Sequence, residues 1–225
     1  MLVVLLFGSA AEASHFRFGT IAWNVPDPVG APRTVRFVVQ HAWRADSSDI
    51  VQFQFGDGTF ATQTFNDPAG APPTVTNGAG VMGGPIGSGV DVAGAPYQVY
   101  EFTVSHTYAT AGTFTSFFTS CCRVSGLING AGQSFRVESV VSLAAGNTGG
   151  PATSSTSTIA LQAGAPRTYV FPASDPDLDP VTCRFATYAE TGLTVPGGLM
   201  PTSPMVPALP AGGAMPTVMA VAGGC

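Results

Sequence analysis

The chain contains no lysine, and all eight of its basic residues are arginines: Arg17, Arg33, Arg36, Arg44, Arg123, Arg136, Arg167 and Arg184. Charged residues are only 9% of the sequence and the formal net charge is −5. Soluble domains usually carry about a quarter charged residues. An acidic, charge-poor surface excludes nucleic acid as a partner. It suits a protein covered by neighbours or sugar. No apolar run is long enough to span a membrane. The four cysteines include no C-x-x-C pair, which excludes the usual zinc sites. Asn24, Asn66, Asn77, Asn129 and Asn147 all fail the N-x-[ST] rule, so N-linked sugar is excluded. H-E-x-x-H, G-x-S-x-G and the phosphate-cradling G-x-x-x-x-G-K-[ST] are missing, as is a Cys/His nucleophile pair or a spaced pair of carboxylates. These absences predict a protein that is not an enzyme and requires no cofactor.

What the chain has instead is 28 glycines, 19 prolines and a hydrophobic fraction of 45%. Many short strands separated by turns fit that mixture, and its 225 residues hold one large or two ordinary domains. Period-two alternation predicts strands over 14–24, 34–44, 50–55, 59–65, 97–105, 112–120 and 134–143. In the third of these, Val51, Phe53 and Phe55 share one face, and Ile50 and Gln52 share the other. Residues 66–96 are rich in Gly, Pro, Ala and Val and read as a long inserted loop, with or without short strands, and as a candidate contact surface. The Gly/Ser/Thr-rich stretch 145–158 reads as a linker. Within it Thr153, Ser154, Ser155 and Thr156 are O-glycan candidates.

Two separated segments carry a resemblance. Phe53-Gln54-Phe55-Gly56-Asp57-Gly58-Thr59 is a strand ending in a tight turn. Ser105-His106-Thr107-Tyr108, followed by Gly112-Thr113-Phe114, is a strand end, a turn and a new strand. Together they resemble the PKD domain, an immunoglobulin-like β-sandwich of extracellular proteins. The resemblance implies an all-β, immunoglobulin-like sandwich over 14–144, with Asp57 as a turn residue and His106 bonding locally. After the linker, Ala173-Ser174-Asp175-Pro176-Asp177-Leu178-Asp179 is similar to the start of a bacterial cadherin-like repeat. Leu178 stands where that pattern has glycine. This resemblance implies a partial immunoglobulin-type unit over 159–225, too short for a full sandwich and open to completion by a neighbouring chain. It also makes Asp175, Asp177 and Asp179 candidate Ca²⁺ ligands, alternating along an extended segment, with Glu138 and Glu190 as candidate helpers.

The first thirteen residues have two readings. One is a secretory signal with Ala11-Glu12-Ala13 as its cleavage site. In the other, the apolar Leu2, Val3, Val4, Leu5, Leu6 and Phe7 form a strand donated at an interface. Cys121, Cys122, Cys183 and Cys225 are disulfide candidates, consistent with an oxidising compartment. Adjacent residues of a strand point to opposite faces, so Cys121 and Cys122 are expected to bond separate partners. Trp23, Trp43, Tyr97 and Tyr100 are candidates for stacking on carbohydrate if exposed, and for the core if not. The composite expectation is a secreted or cell-surface structural protein that self-associates into a homo-oligomer or filament. Its alternative is a spacer or binding module of a larger adhesin.

Overall fold

The computed structural model describes residues 15–47, 49–65, 74–76, 79–91, 94–124, 132–154, 172–182, 184 and 186–192. Their strands are β1 (Phe16–Asn24), β2 (Thr34–Arg44), β3 (Asp49–Gln54), β4 (Phe60–Phe65), β5 (Thr74–Thr76), β6 (Ala79–Val90), β7 (Pro96–Thr107), β8 (Thr113–Ser120), β9 (Phe135–Ser142), β10 (Ala152–Thr153) and β11 (Ala173–Ser174). A single helical turn, α1 (Tyr188–Thr191), follows. Two antiparallel sheets, ordered β1-β2-β7-β6 and β5-β4-β3-β8-β9, make a β-sandwich, and β10 pairs with β11 apart from them.

Alternation builds each face of the sandwich. In β2, Val35, Phe37, Val39, His41 and Trp43 point inward and are fully buried, while Arg36 is exposed. In the opposite sheet Val51, Phe53 and Phe55 are buried and Ile50 is 55% exposed, as their spacing predicts. The core is largely aromatic. Phe16 stacks on Phe135 with centroids 3.5 Å apart and meets Trp43 edge-on at 5.4 Å. Phe37 and Phe53 meet edge-on at 5.0 Å across the sheets. Burying each phenyl ring stabilises the fold by about 2–3 kcal/mol. One side of the sandwich is stitched between β1 and β9, where Trp23 Nε1 donates to the Val140 carbonyl at 3.1 Å.

Two segments differ from the sequence reading. Within the expected 66–96 loop, Ala79–Val90 is a twelve-residue edge strand against β7. Glycine contributes no side-chain alternation, so its pattern is invisible, but the free edge of β7 satisfies its backbone groups. The pairing slips at Gly83/Pro85 and again at Pro85/Gly87. Proline lacks an N–H, so a strand accommodates it at an edge or a bulge. Within the expected linker, Val25 N–H donates to Thr148 O at 2.7 Å and Gly150 N–H to Trp23 O at 3.2 Å, so this part lies along the end of β1.

Candidate functional site

The segments Phe53–Thr59 and Ser105–Phe114, far apart in sequence, meet at one corner of the sandwich. Asp57 Oδ1 accepts from the Thr59 N–H at 3.0 Å and the Thr59 hydroxyl at 2.6 Å. Its Oδ2 lies 2.7 Å from His106 Nε2, so His106 bonds across the fold rather than locally at its strand end as expected. Partial burial pushes the Asp57 carboxyl up, but the Thr59 and His106 contacts outweigh it and hold the group below its usual range. The His106 ring stacks on Phe55 at 4.1 Å. Beneath it, Tyr108 and Ser116 both donate to the Phe55 carbonyl, at 2.8 and 2.9 Å. Burial pushes the Tyr108 hydroxyl up to about 12, so it remains a donor. Gly56 has φ +91°, and a Cβ there would stand 2.5 Å from the Thr115 carbonyl. This corner orders two turns.

Between the sheets lies a buried polar chain. Trp43 Nε1 donates to His41 Nδ1 at 2.8 Å, which leaves the imidazole proton on Nε2 to donate to Gln63 Oε1 at 2.6 Å. Burial lowers the His41 pKa to about 4, against the Gln63 contact, which raises it. The Gln63 side-chain nitrogen has no partner among the described residues. At the end of the first sheet, Arg17 and Asp91 form a buried ion pair at 2.8 Å. Asp91 Oδ1 also accepts the Ala95 N–H at 2.9 Å, tying the pair to the β6–β7 turn.

Cys121 and Cys122 are bonded to each other, contrary to the expectation of separate partners. The opposite-faces argument applies only inside a strand, and β8 ends at Ser120. The Cys122 carbonyl accepts from the His15 and Phe16 N–H groups, both at 3.2 Å, and so anchors the start of β1. Arg123 is 3% exposed and donates to the Thr191 carbonyl at 2.7 Å and the Ser134 carbonyl at 3.2 Å. Cys183 and Cys225 lie outside the described residues, as do Leu2, Val3, Val4, Leu5, Leu6, Phe7, Ser155 and Thr156.

The three aspartates do not alternate along an extended segment. Pro176 and Asp177 form a turn, and Leu178 takes φ 64°, a conformation glycine adopts without strain. Asp175 Oδ1 accepts the Asp177 N–H at 2.9 Å and the Asp179 N–H at 3.4 Å. Asp177 accepts the Thr148 hydroxyl at 2.5 Å and the N–H groups of Thr148 and Gly149 at 2.7 and 3.1 Å. Those three bonds hold its carboxyl below the ordinary value. Glu138 pairs with Arg136 at 2.6 Å. Glu190 is held down to about 2, chiefly by Arg184 and further by Thr187. Among the described residues no group of three or more His, Cys, Asp or Glu is placed to hold a metal ion.

Among the described residues several apolar side chains are exposed on the outer surfaces. Trp23, Trp43, Tyr97 and Tyr100 are all buried and belong to the fold, not to a sugar-stacking platform. Ile86 and Val90 on β6 are exposed, and β6 carries no charged residue. Phe60 is exposed on the opposite sheet, and in that sheet Arg136 covers the Phe117 ring at 3.5 Å. The Thr153 hydroxyl donates to Pro172 O at 2.8 Å, and Ser154 is exposed. No helix among the described residues is long and apolar enough to cross a membrane.

The stretch from exposed Ile86 through β7, the His106–Tyr108 corner, β8, the cysteine pair and β9 is also where this chain matches a known family. Residues 86–144 match the family described as integrin beta-like protein A-E, N-terminal. The chain is 29% identical over 160 residues to integrin beta-like protein C of Dictyostelium discoideum. It is 28% identical over 157 residues to integrin beta-like protein A of the same organism. These alignments cover 64% and 63% of this chain and 7% of each relative. The chain thus spans a small fraction of the length of the curated relatives it matches. No solved structure matches it.

Sequence reasoning singled out Asp57, His106 and the aspartate loop, but missed the partners of each. It did not single out His41, although alternation with Val39 and Trp43 in β2 is a signal that places it inside. Nothing in the spacing of Arg17 and Asp91 points to their pairing.

Proposed function

We propose that this chain is a non-enzymatic, extracellular module of a larger cell-surface adhesion protein. The observation that carries the reading is its similarity to integrin beta-like proteins of which it spans only 7%. The matched region is a small part of each relative, which fits a module within a larger protein. The site geometry supports it: the polar groups of the FGDG corner and of the buried Arg17–Asp91 pair bond one another, as in a scaffold. In this reading residues 14–144 are an immunoglobulin-like, PKD-like sandwich, and 159–225 begin a second unit. A rigid sandwich with a charge-poor surface suits contact with other surface proteins or glycans.

The experiment is labelling of intact and permeabilised cells that make the protein with an antibody to the folded chain, with attachment of a deletion strain measured alongside. Staining of intact cells and weakened attachment are expected. Staining only after permeabilisation overturns the reading.

Self-association into a filament is a second reading. The uncharged edge strand β6 favours it, since an unpaired edge is a template for another strand. Its bulges at Pro85 oppose it. Sedimentation velocity separates the two: a monomer across concentration leaves only the module.

A further inference from the structure

We infer that the carboxylate of Asp177 is a latch that fixes how the chain leaves the sandwich, turning the segment after β9 from a tether into a strap. After β9 the chain turns back, with Asn147 N–H donating to Ala144 O at 3.1 Å and the Asn147 side chain donating to Ser142 O at 3.1 Å. Thr148 to Gly150 then lie antiparallel to the end of β1, through Val25 N–H to Thr148 O and Gly150 N–H to Trp23 O. The strap is held on its other side by a residue nearly thirty positions later. Asp177 accepts both N–H groups of Thr148 and Gly149 and the Thr148 hydroxyl, so both its oxygens are occupied. Three donors on one ionised carboxylate form a charge-assisted set, roughly twice as strong as neutral bonds.

The packing around the latch is equally specific. A Cβ at Gly150 would stand 2.4 Å from Trp23 Nε1, and one at Gly149 would stand 2.5 Å from Pro176 Cγ. The strap therefore fits between Trp23 below and Pro176 above only because it is glycine. Asp175, through its bond to the Asp177 N–H, sets the turn that aims the latch. Asp175 and Asp177, which look like cation ligands in sequence, thus act as acceptors for the chain's own amides. Tension applied beyond residue 177 would meet these contacts before it reaches β9. That consequence for adhesion rests on the reading above, while the latch itself does not.

Hydrogen–deuterium exchange on the full chain tests the latch without reference to any partner. Wild type, Asp177→Ala and Thr148→Val are compared at neutral pH, in chelator and in excess Ca²⁺. The expected result is slow exchange over 145–151 in wild type and at least tenfold faster exchange there in Asp177→Ala, with β2 and β7 unchanged. Thr148→Val, which removes only the hydroxyl, is expected to raise exchange over 145–151 a few-fold in a sandwich that stays intact. Should Asp177→Ala loosen β2 and β7 as well, the Thr148→Val result decides. Unchanged exchange over 145–151 in the deciding variant overturns the latch. So does faster exchange of that segment in wild type on adding Ca²⁺, which would show the carboxylate leaving its amides for a metal.

Discussion

Lowering the pH from 7 to 4 places a proton on His41 in the unfolded chain well before the folded protein can accept one. In the sandwich the imidazole is fully buried among Phe65, Tyr100, Phe102 and Phe118. Its Nδ1 already accepts the Trp43 N–H, so a second proton has no acceptor and must displace that bond. The folded pKa of about 4 lies well below the 6.5 of an ordinary imidazole. Because the folded value is depressed, the unfolded state binds more protons between the two, and stability falls as pH falls. The contribution is intact above pH 6.5 and lost progressively toward pH 4. A gap of that size corresponds to about 3 kcal/mol at 1.36 kcal/mol per unit. The assay is guanidinium unfolding followed by tryptophan fluorescence at pH 7, 5.5 and 4, on wild type and His41→Leu. The variant starts less stable at pH 7, since it leaves Trp43 Nε1 and Gln63 Oε1 unpartnered, but its stability should change far less over the same range. Parallel loss in the two proteins would refute the reasoning and assign the acid sensitivity to other groups.

Three further substitutions have outcomes that differ in sign and size. Tyr108→Phe removes one of two donors to the buried Phe55 carbonyl and should lower unfolding free energy by about 1–2 kcal/mol in the same denaturant assay. Gly56→Ala places a Cβ against the Thr115 carbonyl at positive φ and should destabilise by about 2–4 kcal/mol, seen as a lower thermal midpoint. Leu178→Gly should stabilise by up to about 1 kcal/mol, because an exposed leucine there holds a left-handed conformation without buried contacts to offset it.

Strand positions were legible wherever apolar and polar residues alternate. Phe37, Phe53, Phe102 and Phe118 all sit inward where the period of two puts them. β6 was not legible because a strand of Gly, Ala and Pro shows no alternation, and its pairing comes entirely from the open edge of β7. The corner was half legible: the turn at Asp57 follows from Gly-Asp-Gly, but its bond to His106 spans 49 residues and depends on the sandwich closing. The bonded pair Cys121–Cys122 was missed because strand geometry was extended two residues past the end of β8. At the aspartate loop the composition suggested a cation, whereas the nearest donors are the amides of Thr148 and Gly149. Glycines 149 and 150 looked like linker composition, yet Trp23 leaves no room there for a side chain.

The most direct test of the adhesive-module account is attachment of beads coated with the full chain to the surface of cells that make it. The account predicts saturable attachment above an albumin coat, competed by soluble folded chain and lost when the coat is heat-denatured. Attachment no greater than to albumin, with the chain shown to be folded on the bead, would contradict it.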